Sequence, residues 1–366
     1  MNLLILLIGG NPIANYALIE YFNQNGDITI PKCDKVLLIH TNFSEDMAEN
    51  IKKLKSSVDF ELLNLEDREN SLKYIQNSIL KKLNSIESID SIHLNYTGGR
   101  KPMSLGAYLA VDEYKKCHKI YSDISPKTYK LTLFDGSSYP LEGSISSNID
   151  ISIKDFYTLH GLKDIKFQKE NSEFYSEEFC MFLLEQNTNN EKEFYEKLWD
   201  LNSIKELAWR ESIKEFIKED ISNKKLSKLQ KFIRGNWLEE YLFVTLEEIK
   251  HQIGITDLAW SVEAKHKGKD FEVDVVAIVG YKSFVFSCTT DKKAHIKQKA
   301  FEAIIRSRQL GGIGSKTILV SLTDKEGVEG VKQDSYTERS FEALGIEDIG
   351  DKTKFKQRLE KIFKDR

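Results

Sequence analysis

No two cysteines in this chain have C-x-x-C spacing. The four present, Cys33, Cys117, Cys180 and Cys288, are scattered, which excludes a thiolate zinc knuckle or a disulfide framework and suits a reducing cytoplasm. Long apolar runs are also missing. The longest begins at Leu3, ends after Ile8 in Gly9-Gly10 and lacks a basic lead. It reads as a buried strand, too short for a bilayer span or a signal peptide, so no membrane association is expected. Charge of one sign is not in excess: 53 Lys and Arg stand against 57 Asp and Glu, a net −4. Any nucleic-acid contact therefore falls to a local basic patch. The G-x-G-x-x-G fingerprint and the Walker A pattern are absent, which argues against a nicotinamide enzyme and a P-loop ATPase. No nucleophile elbow supports a serine hydrolase.

Proline is scarce and unevenly placed. All five (Pro12, Pro31, Pro102, Pro126, Pro140) fall in the first 140 residues, and the remainder of the chain is richer in Lys and Glu. With 40% hydrophobic residues over 366 positions, two or three domains can each bury a core. We divide the chain into 1–150, 151–230 and 231–366. In the first part, strand-length apolar runs at Leu3–Ile8, Lys35–Thr41, Asp59–Leu65, Ser91–Tyr96 and Lys119–Ile124 alternate with segments of helical spacing. That predicts an α/β, doubly wound parallel sheet of the Rossmann-like kind. A hairpin is expected around Asp135-Gly136. The stretch from about 165 to 230 is charged and reads as a helical connector, with Phe179, Phe182, Leu183, Phe194, Leu198 and Leu207 available for small cores. From 235 the order is helix, antiparallel-looking strands, helix and strand, a second α/β domain. The tail after Asp351 reads as a charged helix.

Two loops of the first domain fall at strand ends, on the edge where open α/β sheets bind ligands. One is Gly9-Gly10-Asn11-Pro12. The other is Asn95-Tyr96-Thr97-Gly98-Gly99-Arg100-Lys101-Pro102-Met103-Ser104. Glycines allow close backbone approach, and the free amides of a Pro-started helix favour an anion. Arg100 and Lys101 add cations suited to a phosphodiester.

In the last domain the candidates are carboxylates and lysines. Metal-assisted phosphodiester hydrolysis needs hard oxygen ligands and often a cation near the attacking water. Glu239 and Glu240 lie on a helix. Glu272 and Asp274, two apart, share one face of a strand. Glu302 lies on a later helix, with Lys292, Lys293, Lys297 and Lys299 before it. Asp274 sits among Val273, Val275 and Val276, where a carboxylate is costly unless paired or metal-bound. Arg306-Ser307-Arg308-Gln309 either grips substrate phosphates or is a solvated helix end. His295 lies near this region.

The first part, with GGNP after one strand and T-G-G-R-K-x-M-S after a later one, resembles the CRISPR-associated Rossmann-fold (CARF) sensor domain. The resemblance covers about residues 1–145. It implies a homodimer binding a cyclic oligoadenylate, with cyclic tetraadenylate favoured. It also implies a cradle of Gly10, Asn11, Thr97, Gly98, Gly99, Arg100, Lys101, Met103 and Ser104, joined by Thr41 and Asn42. The second domain, through G-N-W-L-E-E-Y, F-E-V-D-V-V, F-V-F-S-C-T and R-Q-L-G-G over about 230–325, resembles the PD-(D/E)xK restriction-endonuclease-like fold. More closely, it is similar to the nuclease domain fused to this sensor in type III CRISPR ancillary nucleases. The usual Glu-x-Lys of that fold is replaced by Ser287-Cys288-Thr289. The resemblance then implies that the missing carboxylate moves to Glu302 and that Lys292 or Lys293, ahead of Lys297, supplies the missing charge. Asp274, Glu302 and Glu240 would hold Mn²⁺ or Mg²⁺ to cleave single-stranded RNA or DNA. Two rivals stand beside this reading. One is a ligand-gated nucleic-acid-binding protein whose nuclease domain no longer cleaves, as Thr289 suggests. The other is a sensor that degrades its own cyclic ligand, although no base is evident beside Thr97 and Lys101.

Overall fold

The computed structural model describes all residues except 25–31, 116, 126–129, 135, 141–150, 189–214, 217–222, 267, 291–294, 312–313, 337, 339 and 365–366. Two compact units result. One is formed mainly by Met1–Lys163. The other is formed by Asp164–Val279, Ser283–Arg308 and Ser315–Arg366.

The first unit is built on a seven-stranded sheet of order β3-β2-β1-β4-β5-β6-β7. Its strands are β1 (Asn2–Leu7), β2 (Lys35–His40), β3 (Asp59–Asn64), β4 (Ser91–Asn95), β5 (His118–Ile124), β6 (Lys130–Leu133) and β7 (Ser138–Pro140). The first five pair in parallel, and β6 and β7 add antiparallel. Leu3 to Leu7 are all at most 1% exposed, so both faces of β1 are covered, as its unbroken apolar run predicts. On one face, Leu3, Ile5, Leu7 and Ile92 share a core with Ile75 and Ile79 of α3 (Leu72–Ser85) and with Ala107 and Val111 of α4 (Lys101–Glu113). The chain runs out from β1 to β2 and β3, then returns to place β4 on the other side of β1. The strand order thus reverses between β1 and β4, and the crevice beyond their C-terminal ends is where such sheets bind ligands. The remaining helices are α1 (Ile13–Gln24), α2 (Glu45–Leu54) and α5 (Ile153–Leu159). Asn50 of α2 ties to α5, its Nδ2 donating to the carbonyl of Thr158 at 2.8 Å. The hairpin expected at Asp135-Gly136 is the β6–β7 pair. Gly136 has φ +89°, and Asp135 lies outside the described residues.

The second unit carries a six-stranded sheet of order β13-β12-β11-β10-β9-β8. Its strands are β8 (Lys163–Gln168), β9 (Asp257–His266), β10 (Lys269–Val279), β11 (Lys282–Thr289), β12 (Lys316–Ser321) and β13 (Phe341–Leu344). The β9–β10 pair is antiparallel, as read from the sequence, while β11, β12 and β13 are parallel. Helix α6 (Glu177–Thr188), α7 (Asn223–Lys231), α8 (Trp237–Ile253) and α12 (Lys352–Lys364) share one core with Val275, Ala277 and Val279 of β10. The other face takes α9 (Ile296–Gly311) and α10 (Lys325–Asp334). There Ile296, Ala300 and Ile304 pack with Leu319, Val328 and Phe341. A short helix, α11 (Ile346–Ile349), precedes α12.

Two expectations need amending. The stretch that reads as a helical connector contributes a strand, β8, because Ile165 and Phe167 alternate with charged residues at a period of two. Its helices do not form separate small cores: Phe179 and Leu183 are fully buried in the core of the second unit. Phe194, Leu198 and Leu207 lie outside the described residues. The charged tail is also structural. Phe355 of α12 stacks on Tyr241 at 5.7 Å and Phe363 on Phe284 at 4.1 Å.

Candidate active site and ligand cradle

In the first unit, the β1–β4 register brings the two glycine loops together, Leu6 facing Asn95 just before both strands end. The approach is too close for side chains. A Cβ on Gly98 would lie 1.7 Å from the Leu7 carbonyl oxygen, and one on Gly9 would lie 2.9 Å from the Gly99 nitrogen. Thr97 is pinned by its hydroxyl, which donates to Asp123 Oδ1 at 2.9 Å and accepts the Ile124 amide at 2.6 Å. Beneath it, buried Asn95 accepts the Thr97 amide at 3.3 Å and donates to the Ser122 hydroxyl at 3.0 Å. Ser104 braces the same loop, donating to the Tyr96 carbonyl at 3.1 Å. Asn11 caps the start of α1, accepting the Ile13 amide at 3.2 Å.

The exposed residues of this rim are Gly10, Asn42, Arg100 and Lys101. Arg100 pairs with Glu69 at 3.3 Å, and Asn42 accepts from Asn64 Nδ2 at 3.0 Å. Two predicted cradle residues are not on the surface. Met103 is 2% exposed and packs in the core beneath Gly99. Thr41 is buried in a turn, its amide donating to Ser44 Oγ at 3.1 Å. Met103 sits in a core-facing register that a motif match does not distinguish from a ligand-facing one. Asp123 escapes a reading of the sequence, since only the fold places the end of β5 beside Thr97.

In the second unit, Asp274 on β10 and Ser287 on β11 face α9. Together with Glu272, Lys299, Glu302 and Arg306 they line a pocket of about 110 Å³. It adjoins a groove of about 890 Å³ that shares Glu272, Glu302 and Arg306 and takes further walls from β8 and β9. Asp274 Oδ2 accepts two hydrogen bonds, from the Cys288 amide at 2.6 Å and from the Ser287 hydroxyl at 3.2 Å. Burial nevertheless pushes its carboxyl from 3.8 up to about 6. The Cys288 amide, Lys299 and Ser287 act in the opposite direction, and Glu272 adds to the rise. Glu239, early in α8, is its acidic neighbour. Burial first, then the charges of Asp274, Glu272 and Glu240, hold it well above the carboxylate range, with Lys299 opposing. Two carboxyls crowded in this way favour sharing a proton or a cation.

On this helix it is Glu239 whose carboxyl the charges of Asp274 and Glu272 raise. Glu240 is 1% exposed and points elsewhere, accepting the Ser172 amide at 2.8 Å. Burial raises its carboxyl too, and the Ser172 contacts oppose the rise. Adjacent residues on a helix differ by about 100° in direction, so sequence proximity cannot decide between them. Glu302 does reach the pocket, 3.8 Å from Arg306. Arg306 also lies over the Phe271 ring at 5.0 Å. Arg308 is paired with Glu338, and Lys297 with Asp334 at 2.6 Å. Thr289 is 8% exposed, and His295 is exposed. Lys292 and Lys293 lie outside the described residues. Among the described residues, no three His, Cys, Asp or Glu side chains form a group that could hold a metal ion. Among those residues, too, no helix is long and apolar enough to cross a membrane.

Both units have counterparts among known proteins. Residues 3–156 match the model of the Card1 CARF domain, and residues 227–356 match that of the Card1-like endonuclease domain. No curated protein matches the sequence. Among solved structures, protein VC1899 from Vibrio cholerae superposes with a TM-score of 0.69 at 16% identity, covering 99% of this chain and 98% of that one. Can2 from Sulfobacillus thermosulfidooxidans, solved in complex with cyclic tetra-adenylate, gives 0.69 at 17% identity and 99% of both chains. A type III CRISPR defence DNA nuclease activated by cyclic oligoadenylate gives 0.50 at 16% identity, covering 88% of this chain and 46% of that one. At these identities the structural likeness establishes the fold.

Proposed function

Because this chain belongs with the proteins that join a Card1-type CARF domain to a Card1-like endonuclease domain, we propose that it is a nuclease switched on by a cyclic oligoadenylate in type III CRISPR defence. The observation that carries the reading is the Glu239–Asp274 pair. Asp274 lines a pocket of the endonuclease part with Glu272, Glu302 and Lys299, and its charge helps to raise the carboxyl of Glu239 on α8. Burying uncompensated like charges is costly, and a divalent cation removes the cost.

The residues suit Mg²⁺ or Mn²⁺. Mg²⁺ commonly takes only one or two carboxylates and completes its shell with water and substrate phosphate, so a three-acid cage is not required. Asp274 and Glu239 would hold the ion. Glu302, at the pocket rim, would reach it through water. When bound, the ion makes its water more acidic and polarises the scissile phosphate. Ser287 and the Cys288 amide keep Asp274 in place through Oδ2. Oδ1 has no hydrogen-bond partner among the described residues.

In the sensor, the backbone amides of the two glycine loops and the cations Arg100 and Lys101 favour a phosphodiester ring. Can2's complex with cyclic tetra-adenylate favours that ring size. The ring would bind across two copies of the chain and drive the switch by binding the closed arrangement more tightly than the open one. Single-stranded RNA or DNA is the proposed substrate.

The test is cleavage of labelled single-stranded RNA and DNA with Mn²⁺, with and without cyclic tetraadenylate, by the wild type and Asp274→Ala. Ligand-dependent cleavage that disappears in the variant supports the reading. Ligand binding without cleavage favours the alternative binding protein, for which the Thr289 replacement is the motive.

A further inference from the structure

We propose that Lys299, a helix residue, supplies the cation that the strand motif of this nuclease site lacks. The proposal rests on the metal-dependent nuclease reading above and concerns which residue of this chain completes it.

Strand β11 ends in Ser287-Cys288-Thr289 and offers the pocket a hydroxyl but no positive charge. The face of α9 that covers the pocket carries Lys299, Glu302, Ala303 and Arg306. Their spacing of three, four and seven residues is that of a single helical stripe. The stripe is held in register from behind. Ile296, Ala300 and Ile304 are buried against Leu319 and its neighbours, so the lysine stem starts from a fixed backbone.

The other described cations near the site are engaged. Lys297 pairs with Asp334, and Arg308 pairs with Glu338. Arg306 is held between Glu302 and the Phe271 ring. Lys299 has no ion pair among the described residues, although it lines the same pocket as Glu272 and Asp274. Lowering of both the Asp274 and Glu239 carboxyls by its charge agrees with that position.

In the hydrolysis, the oxygen of a water bonds to phosphorus while the bond from phosphorus to the leaving sugar oxygen breaks. One water proton passes to solvent, and the leaving oxygen takes up another. Lys299 ends the cycle unchanged. Its ammonium faces the non-bridging oxygens, where negative charge grows as the water attacks, and fixed charge placed there lowers the barrier.

The experiment uses the full chain with cyclic tetraadenylate, Mn²⁺ and labelled single-stranded RNA and DNA. It compares wild type, Lys299→Ala, Lys299→Arg and Lys297→Ala, and measures Mn²⁺ affinity separately by titration of each protein. Lys299→Ala is expected to cut at least about 100-fold more slowly, the scale of losing one such electrostatic contact. Lys299→Arg should keep an intermediate rate, and Lys297→Ala should match the wild type. The Mn²⁺ affinity of Lys299→Ala should be equal or tighter, because a competing positive charge has gone. A merely structural lysine would instead weaken metal binding and cleavage together, and that result overturns the proposal. So does a Lys299→Ala rate within threefold of an active wild type. A wild type that never cleaves removes the nuclease reading itself, and Lys299 with it.

Discussion

Asp274 Oδ2 accepts the backbone amide of Cys288 at 2.6 Å, a bond that runs from the middle of β10 to the end of β11. The segment that lacks the usual acid and lysine still holds Asp274, through the main chain of Cys288 and the hydroxyl of Ser287. The bond also fixes a carboxyl that burial is working to protonate.

The first prediction concerns pH. The folded-state pKa of Asp274 is raised from 3.8 to about 6, so the folded state holds this proton more tightly than the unfolded chain. Stability contributed by the group is therefore full below pH 4, falls between pH 4 and 6, and is lost above that. Asp274→Asn keeps an acceptor for the Cys288 amide and removes the charge. In chelator-treated protein at pH 8 it should raise stability by roughly 2 kcal/mol, given 1.36 kcal/mol per unit and some solvent relaxation. The gain should vanish near pH 4. Thermal melts across this range check it; a variant that is less stable at pH 8 contradicts it.

The second separates two adjacent glutamates. Glu239→Gln should abolish Mn²⁺-dependent cleavage while leaving the fold intact, and Mn²⁺ should no longer raise its melting temperature. Glu240→Gln should leave cleavage within a few-fold and weaken the Ser172 contact, a loss of about 1–2 kcal/mol. Paired activity and melting measurements distinguish them. The opposite pattern would return Glu240 to the site.

The third concerns the cradle. Gly98→Ala places a Cβ 1.7 Å from the Leu7 carbonyl oxygen. The loop has to move, with a cost of about 1–3 kcal/mol or more, and cyclic tetraadenylate binding should be lost. Lys101→Ala, an exposed position, should weaken binding with no change in melting temperature, and should lessen its salt dependence. Calorimetric titration at two salt concentrations reads both effects.

The fourth concerns Asp123. Removing the carboxylate that accepts the Thr97 hydroxyl hydrogen bond should loosen the loop. Asp123→Ala should lower ligand affinity at least about tenfold, the equivalent of about 1.4 kcal/mol. A variant with wild-type affinity would show that the Thr97 contact is not needed for the cradle.

Much of this was legible in the sequence. The Leu3–Ile8 run, five strand-length runs separated by four helical segments, and two glycine loops specify the doubly wound sheet and the edge at which sheets of this kind bind ligands. Asp274, isolated among valines, stands out by its cost alone, and the structure places it in a pocket with Glu272, Lys299, Glu302 and Arg306. The rest was hidden for physical reasons. Which of Glu239 and Glu240 faces β10 depends on helix rotation, and that is set by packing of Trp237 and Tyr241 in the core. Met103 carries a motif position but packs inward. Asp123 and Lys299 reach their sites through strand order and helix placement, which local spacing does not encode. The β8 strand was obscured by charged residues on its exposed face.

The most direct test of the whole account is the initial rate of single-strand cleavage at fixed Mn²⁺, measured in one protein preparation before and after adding cyclic tetraadenylate. The account predicts a rise of about 100-fold or more, the response of a closed state bound roughly that much more tightly, and no rise in Asp274→Ala. Ligand-bound protein that cleaves at the ligand-free rate, or does not cleave at all, would contradict it.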